Sequence, residues 1–384
     1  MTAAVAFAAC AVAMAYPDSL FQRAGDRAAA PPGQPTEIRF PVISDEQAGN
    51  YPCSVAIGLL DADSIPDLAV ANYGSNSVSV LLGNGDGTFK HRREFPAAFL
   101  PYTVAIGDLN QDGHADLAVA SEGSGQVTEL LGDGNGGFTE RHDLEVGGGA
   151  YSVALGDLDG DGSLDLVASN LNLNQVTVLL GRGDGSFKPG VSYATAHGPR
   201  SATIADLDLD GSPDLAVACF NSNAVSILLG NGDGTFRRRK DHATGHSPYS
   251  VQWGWIDADT LPDLAVSCLA SSSVSVFLGT GSGAFRRRRD VKTAAQPYGL
   301  AVVDLNGDGH ADLATADLGT STVSIAAGTG DGDFLRGIQI ATGRSPQCIA
   351  VGDLNRDGAP DLVTANTASN TVRIFLNRGR ASRP

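Results

Sequence analysis

Short apolar runs separated by glycine-rich polar turns fill almost the whole chain, and their order repeats every 49 residues. In the second repeat, residues 102–107 place Val104 and Ile106 on alternate positions, the period of a half-buried strand. An acidic loop follows, then Leu117-Ala-Val-Ala120 as a second strand, a polar turn over 121–126, and Val127-Thr-Glu-Leu-Leu131 as a third. Gly132-Asp-Gly-Asn-Gly-Gly-Phe138 reads as a hairpin turn whose glycines supply positive φ, and Phe138 opens a fourth strand. A fixed period of this length marks a repeat architecture. Four short antiparallel strands, repeated seven times, predict an all-β, seven-bladed β-propeller.

The two ends say how the ring closes. Residues 371–376 match a third strand, after which the repeat stops. Phe40 stands 49 residues before Phe89, at the start of a fourth strand. The segment from about Glu37 to Ile43 is therefore expected to add the missing outer strand to the seventh blade, which leaves no incomplete edge. The propeller then spans 36–378, with a short tail at 379–384.

Each repeat carries an acidic loop that closes on an aspartate: Asp67, Asp116, Asp165, Asp214, Asp263, Asp312 and Asp361. Its pattern is D-x-[DN]-x-D-G-x-x-D. Oxygen ligands at every second residue can wrap a hard cation, and the glycine allows the sharp turn, which suits Ca²⁺ better than Mg²⁺. Five loops are complete: Asp108, Asn110, Asp112 and Asp116; Asp157, Asp159, Asp161 and Asp165; Asp206, Asp208, Asp210 and Asp214; Asp304, Asn306, Asp308 and Asp312; Asp353, Asn355, Asp357 and Asp361. At the seventh place stand His114, Ser163, Ser212, His310 and Ala359, whose variety points to a backbone carbonyl ligand rather than a side chain. Two loops are broken alike, with Leu59 and Ser64 or Trp255 and Thr260 in place of the leading aspartate and the glycine. About five bound calcium ions are expected, not seven.

With its acidic loops and its later G-x-G-D-G-x-F turns (residues 83–89 and 230–236), the repeat resembles the FG-GAP/VCBS family. That resemblance implies the seven-bladed head of integrin α chains, of certain fungal lectins and of many secreted bacterial proteins. It says little about function, because the family holds adhesins, lectins and accessory domains of enzymes.

The net charge of −17 changes the picture only slightly, since 23 of the 43 acidic residues lie in the loops. Five divalent ions would reduce it to about −7, an ordinary surface charge, so nucleic acid is not an expected partner. Residues 1–15 read as a signal peptide without a basic n-region, with 13–15 as a cleavage site, and 16–35 as a flexible leader. This apolar stretch is too short to span a membrane. The expected location is extracellular, at the cell surface or in the periplasm. Cys219 and Cys268 read as small core thiols; Cys53 and Cys348 could form a disulfide if the first and last repeats adjoin.

If the metals occupy one face, the other is open to a ligand. There Tyr102, Tyr151, Arg200, Tyr249 and Tyr298 begin inner strands and are expected to ring the channel mouth, either as a glycan or peptide site or as packing between blades. The basic runs 90–93, 237–240 and 286–289 begin outer strands, and protect those edges or meet an anionic surface. Arg182-Gly183-Asp184 falls in the repeated turn and carries no adhesion meaning of its own. No Ser/His/Asp arrangement, isolated carboxylate pair or histidine-rich site assembles from the sequence. The expectation is a secreted, monomeric recognition or adhesion module for an extracellular protein or glycan. It is not expected to be an enzyme; the alternatives are a lectin using the tyrosine funnel and, third, a polysaccharide-acting enzyme.

Overall fold

The structure, a computed structural model, describes residues 39–377. The expected signal peptide and leader lie outside the described residues. Among them are seven four-stranded antiparallel sheets, six running in chain order from inner to outer strand and the seventh taking its outer strand from the N-terminal end. Blade 2 is typical: Pro101–Gly107, Asp116–Ser121, Gln126–Gly132 and Phe138–Glu145. The first three strands of every blade are largely buried, because both faces of each sheet pack on neighbouring blades. Their runs are accordingly almost continuously apolar, as in Leu117, Ala118, Val119 and Ala120, all fully buried.

The ring closes as expected, but with a strand further along the chain. Val42–Gln47 pairs antiparallel with Thr371–Phe375 and completes the seventh blade. Asp45 lies opposite Arg373 and accepts two 2.6 Å hydrogen bonds from its guanidinium, a fork geometry that fixes the register. Phe40 precedes this strand and is buried with Ile349 and Phe375.

The same offset recurs in other blades. The hairpin phenylalanines make only isolated bridges, such as Gly83 with Phe89 and Gly230 with Phe236, and the ladders start later, at Arg93–Pro96, Val191–Ala194, Lys240–Ala243 and Arg289–Lys292. The expected start of the fourth strand at the phenylalanine holds only in blade 2. The ring has another task, turning into the seam to meet the preceding blade edge-on: Phe138 on Phe95 at 4.9 Å, Phe236 on Tyr193 at 5.2 Å, Phe285 on His242 at 5.2 Å. Most of the basic runs therefore precede the outer strands.

Deleting residues 39–47 exposes an unpaired edge on the seventh blade and removes Phe40 from its cluster. The melting temperature is expected to fall by about 10 °C or more, and an unchanged thermal melt would contradict this closure.

Candidate functional site

The seven closing aspartates begin the second strands and are all fully buried. In each, one carboxylate oxygen accepts the backbone N–H of the apolar residue seven positions earlier, as in Leu109 to Asp116 at 2.7 Å and Leu305 to Asp312 at 2.9 Å. The other accepts the N–H of the first hairpin glycine, as in Gly132 to Asp116 and Gly230 to Asp214, both at 2.7 Å. In six blades that residue is glycine, and a Cβ at Gly132 would stand 2.2 Å from the Ala115 carbonyl oxygen. In blade 7, Asn377 donates the equivalent bond to Asp361 at 2.7 Å. Burial, partly offset by these bonds, raises the carboxyls of Asp67, Asp116 and Asp263 to about 6 and those of Asp165, Asp214, Asp312 and Asp361 to about 7.

Ahead of each closing aspartate, the complete loops are shaped by their own carboxylates. Asp108, Asp206, Asp304 and Asp353 each accept backbone N–H groups from the fifth and sixth loop positions, at 2.8–3.2 Å. Asp157 accepts those of Gly160 and Gly162. Asn110, Asn306 and Asn355 donate to Asp112, Asp308 and Asp357. The imidazoles of His114 and His310 lie over Gly134 and Gly330 of the following hairpin, where a Cβ would meet them at 2.4–2.6 Å. Ser163 and Ser212 donate their backbone N–H groups to Asp161 and Asp210, and Ala359 to Asp357.

Three groups of carboxylates could hold a metal ion, each with ligand atoms within 4.8 Å of one another: Asp157, Asp159 and Asp165; Asp206, Asp208 and Asp210; Asp257, Asp259 and Asp263. In the first two groups the donor set, all hard oxygens on a glycine-containing turn, fits calcium. The third group belongs to blade 5, whose loop lacks the leading aspartate; its carboxylates gather nonetheless.

The opposite ends of the inner strands, roughly 20 Å away at ~3.4 Å per residue, hold an aromatic cluster. Tyr102, Tyr151 and Tyr249 are buried together with Cys53, and Tyr73, Leu171, Phe220, Leu269 and Tyr298 pack around them. The Tyr249 hydroxyl meets those of Tyr102, at 2.5 Å, and Tyr151, and Tyr102 also donates to Gln347 at 3.0 Å. Burial raises all three buried phenols well above their ordinary value. These side chains thus plug the channel rather than line an open funnel. Arg200 lies over the rings of Tyr151 at 4.2 Å, Phe220 at 5.0 Å and Tyr249 at 5.7 Å. Its Nε is buried without a hydrogen-bond partner among the described residues.

Sequence reasoning missed one pair. Glu129 is fully buried at a register held by Val80, Val178, Ile227, Val276, Ile325 and Ile374 in the other blades. Its carboxylate meets His142 Nδ1 at 2.9 Å, and burial raises its pKa. The break in apolar alternation at Glu129 was the available signal. The cysteines Cys53, Cys219, Cys268 and Cys348 are buried, and Cys348 Sγ accepts the Val55 N–H at 3.4 Å across the closing seam.

The raised closing aspartates set a pH dependence for the calcium-free chain. With folded values of about 6 to 7 against an ordinary value of 3.8, the native state holds more protons between these limits. Stability is full below that window and falls as pH rises through it, so in chelator the chain is expected to melt higher at pH 5 than at pH 7.5; the reverse order contradicts the assignment. Independently, Glu129→Val removes a buried carboxylate from an apolar seam. Denaturant unfolding is expected to show a gain of about 1–4 kcal/mol, whereas a loss would mean that the Glu129–His142 pair is a net support.

Comparison with known proteins agrees with this geometry. The sequence profile of the FG-GAP-like repeat matches six overlapping segments, 60–119, 108–168, 157–217, 206–266, 256–315 and 304–364. None of the curated proteins matches the chain in sequence. Among solved structures, BBS1N in its complex with ARL6DN is similar with a TM-score of 0.64 at 12% identity, over 89% of this chain and 98% of that one. A streptogramin B lyase is similar with a TM-score of 0.59 at 13% identity, over 89% and 98% of the two chains. A lectin of Agrocybe aegerita, specific for non-reducing terminal N-acetylglucosamine, gives 0.53 at 18% identity, over 86% of each. The lyase corrects the expectation that the chain is not an enzyme, because this architecture also hosts catalysis. Segments 60–364 of the chain carry the repeat almost without interruption, and the protein belongs to the FG-GAP-like repeat family.

Proposed function

We propose that the protein is a secreted recognition module, stiffened by about five calcium ions on one face and binding an extracellular glycan or protein through the other. The observation that carries this reading is Arg200. A guanidinium seated on three aromatic rings, with its Nε buried and no carboxylate beside it among the described residues, favours a ligand that brings an anionic group. The tyrosines beneath it hold the platform; half-buried Tyr298 and Gln347 remain reachable beside it. The calcium part rests on the donor set of the five complete loops. Among the described residues no helix is long and apolar enough to cross a membrane.

A lectin is the more specific form of this reading, favoured by a flat aromatic platform beside a polar group. Screening the protein on arrays of acidic and neutral glycans, with and without EDTA, tests ligand class and metal dependence together. Acidic glycans are expected to be retained, and Arg200→Ala to lose at least tenfold in affinity with an unchanged melting curve. Equal retention by Arg200→Ala would remove the channel mouth as the site.

A further inference from the structure

The residue after each hairpin phenylalanine varies with the third residue of the same blade's acidic loop. Where the third residue is aspartate, at Asp61, Asp159, Asp208 and Asp257, the later residue is basic: Lys90, Lys188, Arg237 and Arg286. Where it is asparagine, at Asn110, Asn306 and Asn355, the later residue is Thr139, Leu335 or Pro41. The match holds in all seven blades. In space the pairs meet: Lys90 lies 3.6 Å from Asp61 and 3.3 Å from Asp63, and Lys188 lies 3.1 Å from Asp159. Arg237 is 3.6 Å from Asp208 and 3.1 Å from Asp210, and Arg286 is 3.3 Å from Asp257 and 2.9 Å from Asp259. The third-place carboxylates are only 8–12% exposed, while their basic partners are 44–52% exposed, so each pair is shielded from solvent on its acidic side alone.

The pairing equalises charge. Blades 2, 6 and 7 carry three loop aspartates and no basic partner; blades 3 and 4 carry four aspartates and one. Four of the five complete loops therefore present a net charge of −3, whereas that of blade 7, which contains Arg356, and the broken loops of blades 1 and 5 present −2.

Those two blades differ in structure as well. Among the described residues, only there do the third-place N–H groups, of Asp61 and Asp257, turn onto the closing aspartate, at 3.3 and 3.2 Å, joining the second-place N–H on the same oxygen. The same residues form bridges with the next hairpin, Asp61 with Asn135 and Asp257 with Asp331. Arg93 and Arg289, the last residues of the basic runs, donate to the carbonyls of that same Asn135 and Asp331, both at 2.9 Å.

We propose that these basic residues are built-in counter-ions of the acidic loops, supplying the positive charge alone in blades 1 and 5 and sharing the loop with calcium in blades 3 and 4. The inference rests in part on the calcium reading above. It assigns the basic runs an internal purpose, in place of an anionic partner.

Melting curves of Lys90→Ala, Arg286→Ala, Lys188→Ala and Arg237→Ala, in EDTA and in saturating calcium, test it. In EDTA each variant is expected to melt about 2–4 °C below the unaltered chain. Calcium should restore Lys188→Ala and Arg237→Ala and leave Lys90→Ala and Arg286→Ala low. Titration calorimetry should show several-fold tighter calcium binding in Lys188→Ala. Full restoration of all four variants would place metal in blades 1 and 5 and overturn the proposal, as would no loss in EDTA. If the unaltered chain ignores calcium altogether, the calcium reading fails, while losses in Lys90→Ala and Arg286→Ala would still support the counter-ions.

Discussion

The fold depends on a carboxylate placed where none would survive unaided. Each blade buries an aspartate at the start of its second strand and uses both oxygens to join the acidic loop to the hairpin turn. A buried carboxylate is costly unless its hydrogen bonds are made. The chain meets that condition twice in every blade, with the N–H groups of an apolar loop residue and a hairpin glycine or, in blade 7, Asn377. The invariant spacing follows from this. An insertion anywhere between the two donors would leave a buried acid without partners.

This constraint also explains the division of the molecule into two faces. Loop, closing aspartate and hairpin lie at one end of the inner strands, where charge accumulates and has to be balanced by metal or by Lys90, Lys188, Arg237 and Arg286. The other end is filled by stacked tyrosines, with Tyr102 on Tyr151 at 4.0 Å and Tyr249 on Tyr298 at 3.8 Å. One end is thereby an electrostatic scaffold and the other an aromatic platform that seats Arg200, whose Nε has no hydrogen-bond partner among the described residues.

Repeat, strand order and ring closure were legible in the sequence because they follow from period and turn chemistry, which are local. The closing strand was placed about five residues early because Phe40 was aligned by repeat with Phe89, and neither ring opens a ladder. The tyrosine funnel became a plug for a different reason. Sequence places Tyr102, Tyr151 and Tyr249 at one register but cannot say that three hydroxyls converge on one axis. Glu129 was hidden inside an apolar run, and the basic runs were read as surface because their partners lie 27–29 residues away in sequence. The tyrosine contacts cross the axis, whereas Glu129–His142 and the basic pairs join strands, or loop and hairpin, within one blade; in each case one-dimensional pattern carries no distance.

Five of the seven acidic loops are proposed to take calcium, and the two of blades 1 and 5 to neutralise themselves. Long-wavelength anomalous diffraction from crystals grown in calcium measures this most directly, because each ion appears as a peak in a named loop. The account predicts five peaks, beside Asp116, Asp165, Asp214, Asp312 and Asp361, and none beside Asp67 or Asp263. Peaks of comparable height in all seven loops, or in none, would contradict it.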